Sequence, residues 1–310
     1  MVIHSTAPAT RRSALAVAAA LAFVPLVGCS TAGTPEGTRP SPTTTAAPSV
    51  TTSPRFGQLE AEFGARLGVY AVDTGSGRTV EHRADERFGY ASTFKALAAA
   101  AVLDETTTAE LDQVVRYTAA DLVDYSPITK DRVGSGITLR EAADAAVRYS
   151  DNTAANLLLD RLGGPAGFEK ALRELGDQVT DPERRETALN DVAPGETRDS
   201  TTPRAFATDL RAYVVGDALS AEDRDVLVDW LRRNTTGDKL IRAGVPAGWT
   251  VGDKTGGGPY GIRNDIAVVW PPDGAPIVLA ILSSRTEKDD EYEDALIAEA
   301  AKATIAALRP

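Results

Sequence analysis

The sequence predicts an α/β protein of two lobes, with a sheet assembled from both ends of the chain and an all-helical lobe inserted between them. Two observations predict this. Short β-like runs occur early, at 68–73 and 78–83, and return only late, at 250–253, 266–270 and 277–283, while the residues between them read as helices. From Arg55 onward no second linker and no internal repeat interrupts the chain, so both sets of strands belong to one unit.

Composition narrows the function. The 310 residues carry 44 acids against 33 bases, a net charge of −11, which argues against a phosphate-binding surface and hence against nucleic acid as a partner. With 43% hydrophobic and 6% aromatic residues the chain has ample material for a core. Cys29 is the only cysteine, and His4 and His82 are the only histidines. That excludes an internal disulfide, a Cys/His zinc site and a Cys–His dyad, and it leaves no expectation of a metal or other cofactor.

The elements follow in order. Residues 1–28 contain no acid, carry Arg11 and Arg12, and then run apolar from Ala14 to Val27, the layout of a secretory signal. The run ends Leu26-Val27-Gly28-Cys29, similar to a bacterial lipobox, in which the cysteine thiol receives a lipid and becomes the mature N-terminus. An ordinary small-residue cleavage site with an incidental cysteine is the alternative. Thr10-Arg11-Arg12-Ser13-Ala14-Leu15 is also a partial twin-arginine signal, so the route of export stays open. Residues 29–54 form a Ser/Thr/Pro-rich tether: from Ser30 to Pro54 all but Glu36, Arg39 and Val50 are Ser, Thr, Pro, Gly or Ala, too little apolar surface to fold. Losing the signal removes two arginines and no acids, taking the net charge to −13, so only a lipid on Cys29 would hold the domain to a membrane.

Residues 55–310 form the folded domain, with the helical lobe at about 89–236. It opens with a helix over 56–67, then the two early strands joined by Thr74-Gly75-Ser76-Gly77. Residues 91–103 are nearly all Ala, Val, Leu and Phe, a helix buried on every side. Thr138-Leu139-Arg140-Glu141 is a capping box opening another helix, the pattern continues over 152–162 and 167–175, and 290–308 closes the chain as an amphipathic helix.

Ser92-Thr93-Phe94-Lys95 begins the buried alanine-rich helix, and the spacing of three stacks Ser92 and Lys95 one turn apart, where they can share a proton. A cation in a helix's first turn opposes the dipole, and the residues after it are too apolar for a solvated face. Such a lysine can serve as a base, and a serine at a helix start has backbone N–H groups beside it for an oxyanion. Ser150-Asp151-Asn152 lies between two helices, where capping is the ordinary role of short polar residues. Lys254-Thr255-Gly256 ends a strand and runs into Gly257 and Gly258, an edge that another backbone can approach closely. Each signal is weak alone; the three in this order are those of class A β-lactamases and penicillin-binding proteins.

Further motifs sharpen the likeness. Arg184-Arg185-Glu186-Thr187-Ala188-Leu189-Asn190 resembles the E-x-x-L-N element of class A serine β-lactamases, and Pro194-Gly195-Glu196-Thr197-Arg198-Asp199 resembles the end of the Ω-loop that carries it. Asn264-Asp265-Ile266-Ala267-Val268-Val269-Trp270-Pro271 resembles one of the family's strands, so the resemblance runs from about Phe56 to Leu308. It implies the serine β-lactamase/penicillin-binding-protein-like fold, with an antiparallel sheet, and a monomer that hydrolyses β-lactam antibiotics, penicillins and also cephalosporins.

Carried over by residue, Ser92 is the nucleophile and Lys95 helps to activate it, with the backbone N–H groups of Ser92 and Gly257 as the oxyanion hole. Ser150 relays a proton to the leaving nitrogen beside Lys254, and Asn152 holds the substrate's side-chain amide. Thr255, Gly256 and Arg263 border the substrate, with Thr255 and Arg263 on its carboxylate, and Tyr125 forms an aromatic wall at the entrance. Glu186, with Asn190 one turn on, positions the water that attacks the acyl-enzyme, and Arg184 and Asp199 close the Ω-loop with a salt bridge. Whether Lys95 or Glu186 is the base for acylation is disputed in the family; Glu186 is accepted for deacylation. Without a base to deliver water the serine ester would persist, so Glu186 separates a hydrolase from a trap.

The chain departs from the family pattern at three places. Thr187 stands where proline is frequent after the glutamate, at a cis peptide bond; Gly257 lacks a hydroxyl or methyl, with Pro259 near it; and Leu240 occupies the place of an alternative arginine, consistent with Arg263 alone serving the carboxylate. The rival readings are a penicillin-binding D,D-peptidase, which would lack the Glu186 element, and a non-hydrolytic penicillin sensor, which would need a route to a partner. Export to the cell envelope, anchored by lipid outside the cytoplasmic membrane or secreted, is the expected location.

Overall fold

The computed structural model describes residues 50–309; the expected signal at 1–28 and the tether with Cys29 up to residue 49 lie outside the described residues. Val50–Thr51, inside the expected tether, already pair as a short strand, β1, parallel to Thr79–Val80. Helix α1 (Pro54–Phe63) follows, capped by the Ser53 hydroxyl, with Pro54 in its first turn where a missing N–H costs nothing. It stops before the expected Leu67 because Gly64 takes the left-handed conformation (φ 58°), after which Leu67 is a buried strand residue. The next elements are β2 (Arg66–Asp73), β3 (Thr79–His82) and the two-residue β4 (Phe88–Gly89).

The helical part then begins. A tight 3₁₀ turn at Ala91–Thr93 leads into α2 (Phe94–Asp104), so the buried helix starts three residues later than the composition alone suggests. Short α3 (Thr108–Leu111) and the pair β5 (Val114–Val115) and β6 (Ile137–Thr138) precede α4 (Leu139–Arg148), which opens with the expected capping box: Glu141 N donates to Thr138 Oγ1 at 3.1 Å, and Thr138 N to Glu141 Oε2 at 2.9 Å. Helices α5 (Asn152–Leu162) and α6 (Pro165–Leu175) are followed by the Ω-loop, β7 (Ser200–Thr201), α7 (Pro203–Val214), α8 (Ala221–Arg232) and short α9 (Ile241–Gly244). The chain ends with β8 (Thr250–Gly258), β9 (Ile262–Trp270), β10 (Ile277–Ser284) and α10 (Asp294–Leu308).

The main sheet has the order β1-β3-β2-β10-β9-β8 and is antiparallel except at β1-β3. The β2-β10 pair joins the early strands to the late ones, as the sequence pattern requires of a sheet built from both chain ends. Along β10 the side chains alternate between two cores: Ile277, Leu279 and Ile281 pack on the α1 and α10 side, Val278, Ala280 and Leu282 on the helical side. A sheet covered on both faces explains why its central strand β10 reads as an unbroken apolar run from Ile277 to Leu282. Strand β8 extends past the expected Asp253 to Gly258, because the glycine run pairs with β9 as far as Gly258 opposite Ile262.

Helix α2 is buried along nearly its whole length, and α4, α5, α7 and α8 pack around it. Its alanines, from Ala96 to Ala101, are what permit that close approach, since larger side chains would hold the surrounding helices apart. The α5–α6 corner shows the same economy of space: a Cβ on Gly167 would overlap the Leu162 carbonyl. We expect Gly167→Ala to destabilise the protein by about 2 kcal/mol or more, because backbone must move to make room, and urea unfolding of the variant measures it.

Candidate active site

Four segments distant in sequence meet at the start of α2. The 3₁₀ turn is held from both sides. Asn264 Nδ2 on β9 donates to the carbonyls of Gly89 and Tyr90 at 2.8 and 3.1 Å, and the Tyr90 hydroxyl donates to Asp199 Oδ1 at 2.9 Å. Ser92 and Lys95 then stack as their spacing requires, Lys95 Nζ donating to Ser92 Oγ at 2.8 Å.

Lys95 is fully buried. Its ammonium reaches the Ser150 carbonyl at 2.9 Å and Asn152 Oδ1 at 2.5 Å, and lies 2.9 Å from Glu186 Oε1. Burial drives its pKa below the usual lysine value, with the Glu186 carboxylate opposing the shift. Lys254 is equally buried and is pushed well below, first by desolvation and then by the charge of Lys95. It donates to Ser150 Oγ at 3.0 Å and to the Thr255 carbonyl at 2.7 Å. Ser150 thus has a lysine on each side, Lys95 on its carbonyl and, at 3.4 Å, its hydroxyl, and Lys254 on its hydroxyl.

The Ser150-Asp151-Asn152 turn has capping and site roles at once. Ser150 takes a left-handed backbone (φ 57°), a conformation that short polar residues tolerate better than bulky ones. Asp151, fully buried, caps α5 by accepting from Ala154 N at 2.8 Å, and it also accepts from the N–H groups of Ile128 and Thr129 at 2.9 Å. Asn152 is turned inward by its Nδ2 bond to the Asp124 carbonyl, 2.8 Å, and its backbone N–H holds the carbonyl of Tyr125, whose own side chain stands 63% exposed.

The Ω-loop delivers Glu186. Its Oε1 is 3.3 Å from Ser92 Oγ, and its Oε2 accepts from Asn190 Nδ2 at 2.6 Å. The peptide bond between Glu186 and Thr187 is cis although Thr187 is not proline. Asn156, which the sequence reading did not single out, clamps the backbone here: its Oδ1 accepts from Glu186 N at 3.0 Å and its Nδ2 donates to the Glu186 carbonyl at 3.1 Å. The signal for it was its place four residues after Asn152, on the same face of α5. At the neck of the loop Arg184 Nε donates to Asp199 Oδ2 at 2.5 Å, and Asp199 Oδ1 accepts from the N–H groups of Glu183 and Arg184 at 3.0 Å.

Strand β8 forms the opposite wall. A Cβ on Gly256 would crowd the Tyr90 carbonyl and Ser92 N at 3.1 and 3.2 Å, so a side chain there would press on the 3₁₀ turn against which this edge lies. Across from Gly257, Arg263 is oriented by Asp294 Oδ1 at 2.7 Å and by the Tyr292 ring, 4.6 Å from its guanidinium. Leu240 is buried and leaves no second cation in that position. Of the expected site residues, Ser92, Lys95, Ser150, Asn152, Glu186, Asn190 and Lys254 are joined by direct contacts, with Thr255 to Gly257 and Arg263 on the neighbouring strands; Arg184 and Asp199 act at the loop's neck, and Cys29 lies outside the described residues. A separate cavity of about 780 Å³ lies along the outer Ω-loop between Arg66, Phe88, Val192, Tyr260 and Arg285. Of the site residues described above only Gly89 borders it, and Arg66 and Arg285 there already pair with Glu86 and Glu293.

With this geometry established, comparison with known proteins gives one answer. The model of the β-lactamase enzyme family matches residues 53–308. A β-lactamase of Amycolatopsis lactamdurans is 62% identical over 253 residues, 82% of this chain and 84% of that protein. A β-lactamase of Nocardia asteroides is 55% identical over 306 residues, 97% of this chain and 96% of its own length. The solved structure of a class A β-lactamase from Clostridium kluyveri superposes with a TM-score of 0.82 at 52% identity, covering 83% of this chain and 98% of that one. The fold and site are those of an active-site serine enzyme of the two-lobe α/β type. The chain belongs to the β-lactamase enzyme family, as a class A serine β-lactamase.

Asp199 is the loop's anchor, and its removal strands a guanidinium, two backbone N–H groups and the Tyr90 hydroxyl. Asp199→Ala is expected to lower unfolding stability by about 3 to 5 kcal/mol, read from urea denaturation, because a half-buried arginine and a buried hydroxyl lose their common partner.

Proposed function

We propose that this protein hydrolyses β-lactam antibiotics through an ester on Ser92 that Glu186 hydrolyses, an activity that gives antibiotic resistance. The observation that carries the proposal is the Glu186 carboxylate, 3.3 Å from Ser92 Oγ and 2.9 Å from Lys95 Nζ, with Asn190 fixing its second oxygen. A D,D-peptidase would lack the Glu186 element, and a penicillin sensor depends on its ester surviving, which a base so placed would prevent.

In acylation the Ser92 proton has two acceptors within reach, Lys95 in its neutral form and Glu186, and the 2.9 Å contact between them lets a proton taken by one pass to the other. The lowered pKa of Lys95 brings its neutral form within reach. Oxygen charge developing on the lactam carbonyl is met by the backbone N–H groups of Ser92 and Gly257; the close approach of Gly256 on β8 to Ser92 N supports this pairing. The leaving nitrogen takes a proton from the Ser150 hydroxyl, which Lys254 and Lys95 can resupply from 3.0 and 3.4 Å. Asn152 takes the amide of the antibiotic's side chain, Tyr125 covers the entrance, and Thr255 and Arg263 hold the carboxylate. A water lodged between Glu186 and Asn190 then loses a proton to Glu186 as it attacks the ester.

The same reading makes the protein exported by its 1–28 signal, held to the outer face of the cytoplasmic membrane by a lipid on Cys29 or secreted, and active as a monomer through domain 55–310. Glu186→Gln tests the chemistry. The variant mixed with a penicillin is expected to keep one acyl group on Ser92, seen by intact mass, while turnover falls by a factor of about 10³ or more; the wild type turns over without accumulating it. A lasting adduct on the wild type would mean a penicillin-binding protein and overturn the assignment.

A further inference from the structure

Behind Thr255 runs a polar chain that the mechanism above leaves unused. Arg242 Nε donates to Asp253 Oδ1 at 2.5 Å, and its Nη2 donates to the carbonyls of Leu231 and Arg232 at 3.1 Å. Asp253 Oδ2 accepts from Asn234 Nδ2 at 2.6 Å. Asp253 is fully buried and Asn234 nearly so, and a Cβ on Gly237 would overlap the same carboxylate, so the packing there admits no slack. Burial pushes the Asp253 carboxyl upward, but the guanidinium and the amide donor oppose it, and the permanent charge of Arg242 favours the carboxylate. A carboxylate can only accept, so it takes the NH₂ end of Asn234 and turns the amide oxygen the other way. There Asn234 Oδ1 accepts from Thr236 N at 3.1 Å and lies 2.9 Å from Thr236 Oγ1, which in turn is 2.6 Å from Thr255 Oγ1.

The Thr236 hydroxyl has one hydrogen and two acceptors in range. When it donates to Asn234, the 2.6 Å bond must be donated by Thr255, whose hydrogen then points inward and whose lone pairs face the cleft. Those lone pairs repel an anion. When Thr236 donates to Thr255 instead, the Thr255 hydrogen is released to point into the cleft, and Asn234 Oδ1 still keeps the Thr236 backbone N–H. Neither setting leaves a buried acceptor empty, so the two are close in energy and an anion can select the second.

We propose that Thr236 is a positioning residue for the substrate carboxylate: reversal of its hydroxyl from Asn234 to Thr255 makes the Thr255 hydroxyl a donor aimed at the anion, while Arg242, Asp253 and Asn234 hold Thr236 where both settings are open. Arg263 supplies the charge; Thr236, by donating to Thr255 Oγ1, makes Thr255 a stronger and better-aimed donor to the anion than it is alone. The proposal rests on Thr255 binding the carboxylate in the reading given above. The chain Thr236 to Thr255 to carboxylate ends on a charge, which strengthens each bond in it.

Thr236→Val keeps the branched shape and removes the hydroxyl, at a position only partly buried, so folding is retained. Its KM for benzylpenicillin is expected to rise about three- to tenfold with kcat nearly unchanged, while kcat/KM for the methyl ester of the same penicillin moves by less than about twofold. Thr236→Ser restores the wild-type KM, and Thr236→Val added to Thr255→Val has no further effect. An equal loss on acid and ester, a loss that persists in the Thr255→Val background, or no change in KM would each overturn the proposal. Failure of the wild type to turn over benzylpenicillin would instead remove the functional reading beneath it.

Discussion

Everything in this site is arranged around one buried ammonium. Lys95 lies with no exposed surface at the start of a helix whose next eight residues are buried and apolar, a place where an unpaired charge would be untenable. Its partners cannot come from α2 beyond Ser92. They come from the Ser150 turn, from Asn152 at the head of α5 and from Glu186 on the Ω-loop. Groups that lie 55 residues or more along the chain from Lys95 are thereby drawn to one point, and the candidate site is the set of groups that make the burial of that charge tolerable.

The same constraint explains why the surrounding backbone is held so firmly. A carboxylate that neutralises Lys95 must not swing out to solvent, and the Ω-loop is long enough to let it. Asn156 grips Glu186 by both backbone groups, and Asp199 gathers Arg184, two loop N–H groups and the Tyr90 hydroxyl at the neck. Tyr90 immediately precedes the 3₁₀ turn that carries Ser92, so the loop's anchor and the support of Ser92 are one structure. Folding the loop and placing the serine are coupled through two hydrogen bonds between Tyr90 and Asp199, from the hydroxyl to Oδ1 at 2.9 Å and from the backbone N–H to the carbonyl at 3.1 Å.

The parts of this that were legible in the sequence are those written in short spacing. Ser92 with Lys95, the Ser150-Asp151-Asn152 turn, Lys254-Thr255-Gly256 and the Glu186 to Asn190 element each lie within a few residues, and the structure brings all of them to one cleft. The strand pattern at both chain ends gave the sheet, because a strand buried on both faces cannot hide its apolar run. Helices α7 and α8 were not separately legible: their charged residues blur the apolar stripe, although Thr202 before Pro203 and Ser220 three before Asp223 mark their starts. Asn156, Asn264 and Thr236 were missed for a different reason. Each is a polar residue with a defining partner 19 or more residues away, which nothing local announces.

The central claim is that Lys95 is a desolvated amine tempered by Glu186. Selective isotope labelling of lysine side chains, followed by NMR titration of the Lys95 Nζ signal in the wild type and in Glu186→Gln, tests it directly. The account predicts a wild-type midpoint below the ordinary lysine value of 10.5 and a lower one still in the variant, since burial remains while the opposing carboxylate is gone. A wild-type midpoint at or above that value, or a midpoint that does not move when the carboxylate is removed, would contradict it.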